Sequence, residues 1–275
     1  MIHLLTSLPL GLAGLIVVGL GTAISMLGPG VVRRYVAFDK LAFNNEVAGF
    51  KFAVVGTLYA VLLAFVIIVV WEKFSATQAD VVNEAGAAAT VYRLSPALGD
   101  KAGADLRGAV TTYLKAAIAD DWPAMMQSNI DGSRTARLAL DAIYTTLLAV
   151  TASERGGSPV LSEILHQLDD ITQARRARLI AAKGTVPAVI WFVLFGGALV
   201  TIGFTFFFGT QNLRAQILMT GLIALLITAE LLIVITIDRP FTGAVAVAPD
   251  ALTEVIADFG GDNGGIAPQV KPPSR

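Results

Sequence analysis

Residues Val186–Ile237 read VPAVIWFVLFGGALVTIGFTFFFGTQNLRAQILMTGLIALLITAELLIVITI, and Arg214 and Glu230 are the only charged residues among them. Crossing about 30 Å of hydrocarbon takes roughly 20 helical residues. Val186–Phe208 and Leu213–Ile237 each meet that length. Only Gly209-Thr210-Gln211-Asn212 separates them. So short a link forces two membrane helices into an antiparallel hairpin.

Two further apolar runs lie upstream, Leu4–Leu27 and Phe50–Val70, the second closed by Trp71, an interfacial residue type. The first has no basic segment before it and no Ala-x-Ala site after it, so it reads as a retained helix rather than a signal peptide. Gly28-Pro29-Gly30 predicts its end. Composition agrees: 55 % of the 275 residues are hydrophobic and 15 % charged, and the mean hydropathy is +0.69. The fold class expected is an all-α integral membrane protein with four transmembrane helices and a helical extramembrane domain between the second and third.

That domain is expected over 72–184. No breaker lies between Trp71 and Ser95, which predicts that the second span continues as one rod with a stripe of Phe74, Val81, Ala85, Ala88 and Tyr92, ended by Pro96. Three more helices are expected. Asp100–Asp121 carries Leu106, Val110, Tyr113, Leu114 and Ala117. Ser133–Thr151 carries Leu138, Ile143, Leu147 and Val150. The last starts at Ser158-Pro159, carries Leu161, Leu165, Leu168 and Ile171, and runs on to Lys183. The domain boundaries expected are 1–71 for the first span pair, 72–184, 185–241 for the second pair, and a 242–275 tail that is disordered after about 259, where Gly and Pro accumulate.

A net charge of -1 and a pI near 6.1 argue against nucleic acid, which needs a basic patch. With no cysteine, and histidine only at His3 and His166, a metal site would rest on carboxylates alone. Phosphate-binding loops, His-Glu-x-x-His and Gly-x-Ser-x-Gly are missing, so no enzyme, cofactor or metal is expected. Lys and Arg counts beside the spans are nearly balanced. The first span has no cation before it but Arg33 and Arg34 after it, and long loops translocate largely regardless of charge. Both favour a cytoplasmic first loop and a non-cytoplasmic central domain.

Several stretches form a recognisable set: Asn45-Glu46-Val47-Ala48-Gly49-Phe50, Phe52 through Phe65, and Trp71-Glu72; Glu84 with Tyr92-Arg93; Trp122-Pro123; Arg175 and Arg178 ahead of Pro187 and Trp191; and Asp238-Arg239-Pro240-Phe241 with Gly243. The set resembles the bestrophin-like domain family of bacterial membrane proteins over most of 4–255. The resemblance implies kinship with bestrophins, pentameric anion channels with four membrane helices per subunit.

Glu230 is the most informative single residue, because an ionised carboxylate in hydrocarbon costs on the order of 2.5–3.5 kcal/mol on insertion scales. It reads either as a cation or proton site on a conduction path or as a protonated group bonded to a neighbouring helix. Asn45, Glu46 and Lys51 concentrate polar groups at a membrane surface, as a vestibule or as a capped helix start. Thr57 and Tyr59 offer hydroxyls. Small residues mark seams: Ala53, Gly56, Ala60 and Ala64 on the second span, Gly197, Thr201 and Thr205 on the third, Gly221, Ala224 and Thr228 on the fourth. These read either as plain helix packing or, for one seam, as the wall of a pore to which Thr57 and Tyr59 supply hydroxyls. Trp71, Trp191, Asp238, Arg239 and Pro240 read as interfacial anchors. Arg175, Arg176 and Arg178 read as a lipid-facing or solvated cluster, paired in the second case with Asp169 and Asp170.

The function expected is a homo-oligomeric ion channel or pore, gated through the extramembrane domain, with inorganic ions and the lipid bilayer as partners. Four helices of one chain enclose too little space for an aqueous path, so a ring of subunits would be needed. The alternative is a non-conducting membrane sensor or scaffold that binds a partner through 72–184.

Overall fold

The computed structural model describes residues 10–43, 45–153, 159–243 and 245–262, and the regular elements among them are all helical. In chain order they are α1 (Leu10–Gly14), a π-helical stretch (Leu15–Leu20), α2 (Gly21–Tyr35), α3 (Phe38–Phe43), α4 (Asn45–Leu94), a 3-10 turn (Ser95–Leu98), α5 (Asp100–Ala116), a π-helical turn (Ala117–Asp121), α6 (Trp122–Met126), α7 (Arg134–Ser153), α8 (Pro159–Ala181), α9 (Ala188–Thr205), α10 (Leu213–Ile237) and α11 (Asp250–Asp262). Four helical stretches are long and apolar enough to cross a membrane: Leu15–Tyr35, Asn45–Leu98, Ala188–Thr205 and Leu213–Ile237. The chain divides into two compact units, one formed by Met1–Ser75 with Gly184–Ala246, the other by Ala76–Lys183 with Val247–Arg275.

In the first unit α2 packs chiefly on α10. Small residues allow the approach: a Cβ on Gly21 would lie 2.9 Å from the Thr228 methyl, and one on Gly221 would lie 3.0 Å from Met26. Gly28-Pro29-Gly30 does not end the helix, which runs through a buried Pro29 to Tyr35. Pro29 removes one backbone bond, a loss that membrane helices tolerate. Gly28 serves contact instead of termination, since the Phe206 ring occupies the place of its side chain. The start expected at Leu4 lies outside the described residues. α9 is shorter than Val186–Phe208, because Pro187 is its N-cap and Phe206 its C-cap. α10 matches its expected bounds, and the Asn212 side chain caps it by accepting from the Arg214 and Ala215 N–H groups.

α4 is a single helix of 50 residues, about 75 Å long at 1.5 Å per residue. Its part from Ala76 onward belongs to the second unit, whose core joins α5 and α7 through Leu106, Val110 and Tyr113 and through Leu140, Ile143 and Leu147. Two positions differ from the expected stripes. Leu138 and Leu165 are exposed, and Leu140 and Ile164 are buried in their stead. The expected cap Ser158 lies outside the described residues, whereas Ser133 does cap α7, its hydroxyl accepting from Ala136 N–H at 2.9 Å. The segment expected to be a tail instead carries α11 to Asp262. Leu252 is fully buried there, and Phe259 stacks on Tyr92 with ring centroids 3.6 Å apart. Leu252, Ile256 and Phe259 recur at helical spacing, enough to hold a short helix against a neighbour.

Candidate functional site

Glu46, Ala53, Thr57, Ala60 and Ala64 fall on one side of α4, at intervals of seven, four, three and four residues, and all five are exposed in the chain. The expected seam residues Ala53, Ala60 and Ala64 are thus left uncovered by the chain's own described helices. Gly56 is half-buried, and a Cβ there would meet nothing within 4 Å. The inward side of α4 carries bulk instead: Tyr59, Leu63 and Val70 are buried. The small residue of that interface stands on α9, where Gly197 leaves room for the Tyr59 ring; a Cβ would come 2.6 Å from Tyr59 Cε2. The Tyr59 hydroxyl donates to the Leu194 carbonyl at 3.1 Å. Tyr59 is therefore a packing residue here, while Thr57 faces outward.

Asn45 also differs from its vestibule reading. Its amide clasps one residue of the α9–α10 link, Nδ2 donating to the Gly209 carbonyl at 2.5 Å and Oδ1 accepting from Gly209 N–H at 2.8 Å. Arg33 holds the same link, donating to the Thr210 carbonyl and to Gln216 Oε1 at 2.9 and 3.1 Å. Glu46 and Lys51 are exposed beside this clasp. A cavity of about 220 Å³ lies beneath it, lined by Phe52, Thr205, Phe208, Met219, Thr220 and Ile223 among others.

At the other end of α9, Asp238 Oδ1 accepts from Thr185 N–H at 2.9 Å and Val186 N–H at 2.8 Å. Gly184 enters this clasp at φ +93°, where a Cβ would lie 2.9 Å from Asp238 Oδ2. Asp238 and Pro240 are buried and Arg239 is half-buried. Trp71, by contrast, is 57 % exposed, and Trp191 is half-buried on Phe195.

Glu230 is half-buried on α10, within electrostatic reach of Tyr59. Among the described residues no hydrogen bond or ion pair reaches it. Thr201 is 3 % exposed and its hydroxyl has no partner among the described residues, whereas Thr205 donates to Thr220 at 3.2 Å.

The second unit holds a site that the sequence reading missed. Arg178, fully buried, donates from Nε to Glu84 Oε2 at 2.6 Å, and from Nη2 to Glu84 Oε1 at 3.1 Å and Asp121 Oδ2 at 3.0 Å. Its guanidinium lies 4.8 Å from the Trp122 ring centre. Arg175 donates to both Asp121 oxygens at 2.9 and 3.2 Å, and Ser133 N–H donates to Oδ1 at 2.7 Å. The Tyr113 hydroxyl donates to Glu84. Neither a lipid-facing nor a solvated role survives for Arg175 and Arg178, since each is spent on a buried carboxylate; only Arg176 is exposed. Burial alone would raise the Asp121 carboxyl, but the Arg175 hydrogen bonds, the Arg178 charge and the Ser133 N–H outweigh it and hold it below its ordinary value. Burial and the Glu84 charge push the Tyr113 hydroxyl well above its own. The signal was in the spacing. The buried stripe Leu161, Ile164, Leu168, Ile171 steps by threes and fours straight into Arg175 and Arg178. No group of three His, Asp or Glu side chains among the described residues is placed to hold a metal.

The sequence model of the bestrophin-like domain matches residues 19–252. None of the curated proteins matches the chain. Among solved structures, a bacterial Bestrophin homolog from Klebsiella pneumoniae superposes with a TM-score of 0.70 at 11 % identity, covering 90 % of this chain and 98 % of that one. A tyrosine-to-alanine variant of that homolog gives 0.72 at 11 %, covering 90 % and 99 %. A leucine-to-threonine variant gives 0.69 at 13 %, covering 92 % and 99 %. At such identities the likeness is one of fold.

Proposed function

The chain belongs to the bestrophin-like domain family, and from that premise we propose that it is one subunit of a homo-oligomeric ion channel whose path is lined by the outward side of α4. One observation carries this reading. The small, partly polar stripe Ala53–Thr57–Ala60–Ala64 is exposed in the single chain beside bulky exposed residues such as Phe50 and Phe65, while Tyr59 on the inward side of the same helix packs on the chain's own α9. Small residues let helix backbones approach closely in a bilayer, and a ring of copies would bring these faces together around a shared axis. Glu46 lies at the head of that face, where rings of carboxylates commonly set the sign of the conducted ion. Glu230, on α10 and without a hydrogen-bond partner among the described residues, is the second group assigned to ion contact. The second unit is assigned to gating, since α4 is one helix from Asn45 to Leu94.

The test is current recording from the purified full chain in planar bilayers. Ala60→Trp is expected to abolish conduction, whereas Phe192→Trp, on the 79 % exposed α9 residue, is expected to leave it intact. Glu46→Lys is expected to shift the reversal potential under a salt gradient. Currents indifferent to all three changes would remove α4 from the path. Silence of the wild-type chain across voltages, pH values and common ions would favour the sensor or scaffold instead.

A further inference from the structure

Lys40, in α3, stands at the rim of an open groove of about 530 Å³, with Leu41, Ala48, Val200, Gly203 and Phe207 among its walls. That volume is within the roughly 300–1,000 Å³ of ordinary small-molecule sites. The groove reaches along α9, where Val200 and Phe207 are 58 % and 55 % exposed. A Cβ on Gly203 would meet nothing within 4 Å, so the groove stays open at that level.

The charge around it is one-sided. Residues 28–51 and 206–216 carry five cations (Arg33, Arg34, Lys40, Lys51 and Arg214) against two carboxylates, Asp39 and Glu46. Among the described residues none of the five is in an ion pair; Arg33 donates to the neutral oxygens of Gln216 and Thr210, and the other four are exposed. α3 follows the end of one span and α9 ends beside it, so Lys40 lies at headgroup level with hydrocarbon-facing side chains next to it.

We propose that this groove binds an anionic phospholipid, with an acyl chain laid along Val200, Gly203 and Phe207 and the phosphate on the Lys40 ammonium. A zwitterionic lipid brings the same phosphate, but its own cation is repelled by the Lys40 ammonium, whereas a net anionic headgroup brings no opposing cation. The inference rests on the helices lying in a bilayer and not on conduction.

The test is native mass spectrometry of the full chain released from micelles containing phosphatidylglycerol or phosphatidylcholine. The wild-type chain is expected to retain phosphatidylglycerol in preference. Lys40→Gln is expected to abolish that preference, and Gly203→Leu to lose the bound lipid. The folded state of Gly203→Leu is checked by its thermal midpoint, which the empty space at Gly203 should leave unchanged. Equal retention of the two lipids, a preference surviving Lys40→Gln, or lipid retained by folded Gly203→Leu would each overturn the assignment. So would a change of subunit number in Gly203→Leu, which would make a second copy the occupant.

Discussion

Glu84 and Arg178 have no exposed side-chain surface, so each is the other's replacement for water. Removing one partner of such a pair leaves a buried charge uncompensated, at about 3–5 kcal/mol. Arg178→Met and Glu84→Gln are each expected to destabilise the full chain on that scale, read as a lower thermal midpoint. The double variant should lose clearly less than the sum, because it strands neither partner. Unfolding followed by tryptophan fluorescence measures all three, and additive losses would show that the pair is not coupled. Titration of the same network sets a pH window. Asp121 is held below its ordinary 3.8, so the unfolded chain takes up that proton first and stability falls as pH drops below about 4. Tyr113 is held above its ordinary 10.0, so the unfolded chain loses that proton first and stability falls as pH rises past about 10. Tyr113→Phe should flatten the alkaline limb in a series of midpoints against pH and leave the acid limb in place. Glu230 is a different case, with no hydrogen-bond partner among the described residues to strand. Glu230→Gln should change ion selectivity if the group contacts the path, and a change in stability alone would make it a packing residue.

At the scale of elements, two glycines on facing helices make opposite predictions. Gly197 on α9 leaves room for the Tyr59 ring, and Gly56 on α4 faces open space. Gly197→Ala should destabilise by about 1–3 kcal/mol through overpacking, and adding Tyr59→Leu should relieve it. Gly56→Ala should be neutral or stabilising by about 0.5–1 kcal/mol, since alanine is the better helix former. Equal effects on the unfolding midpoint would show that the α4–α9 seam is not packed as described. This asymmetry also marks how far the sequence was legible. Length and hydropathy suffice to find the four spans, because lipid demands long apolar helices whatever they touch. Spacing found the small residues on α4 but not their partner. Periodicity says that residues share a face, and only the structure says which face of α4 meets α9. The same gap explains Gly28-Pro29-Gly30, where a stop signal in water is a contact site against Phe206. It also explains Asn45, whose amide looked available for ions and is spent on Gly209. Arg175 and Arg178 were misread for a related reason. A charged residue inside an apolar stripe was assigned by its type, although its position placed it in the core.

For the whole molecule, the exposed stripe Ala53–Thr57–Ala60–Ala64 of α4 has to meet lipid, water or another copy, and the size of these four residues favours another copy, whereas the exposed Phe50, Leu58 and Phe65 beside it suit lipid. Large side chains such as Phe192 and Leu199 cover the outside of α9, and contact with lipid is enough to satisfy them. A face of alanine and threonine offers lipid little dispersion contact but lets a neighbouring helix approach to about 8–10 Å between axes. The chain has no cysteine, so a single introduced thiol reports on that approach without background. Ala64→Cys is expected to form disulfide-linked dimers in native membranes under mild oxidation, because Cα atoms of neighbouring copies on a shared axis come near the roughly 4.4–6.8 Å that a disulfide needs. Phe192→Cys, also at an exposed position in the single chain, is expected to stay monomeric on a denaturing gel. Cross-linking at Phe192 but not at Ala64 would place the contact between copies on α9, and α4 would then face lipid. The small-residue face would in that case be a property of one helix alone, and the axis on which the channel reading depends would have to be sought elsewhere.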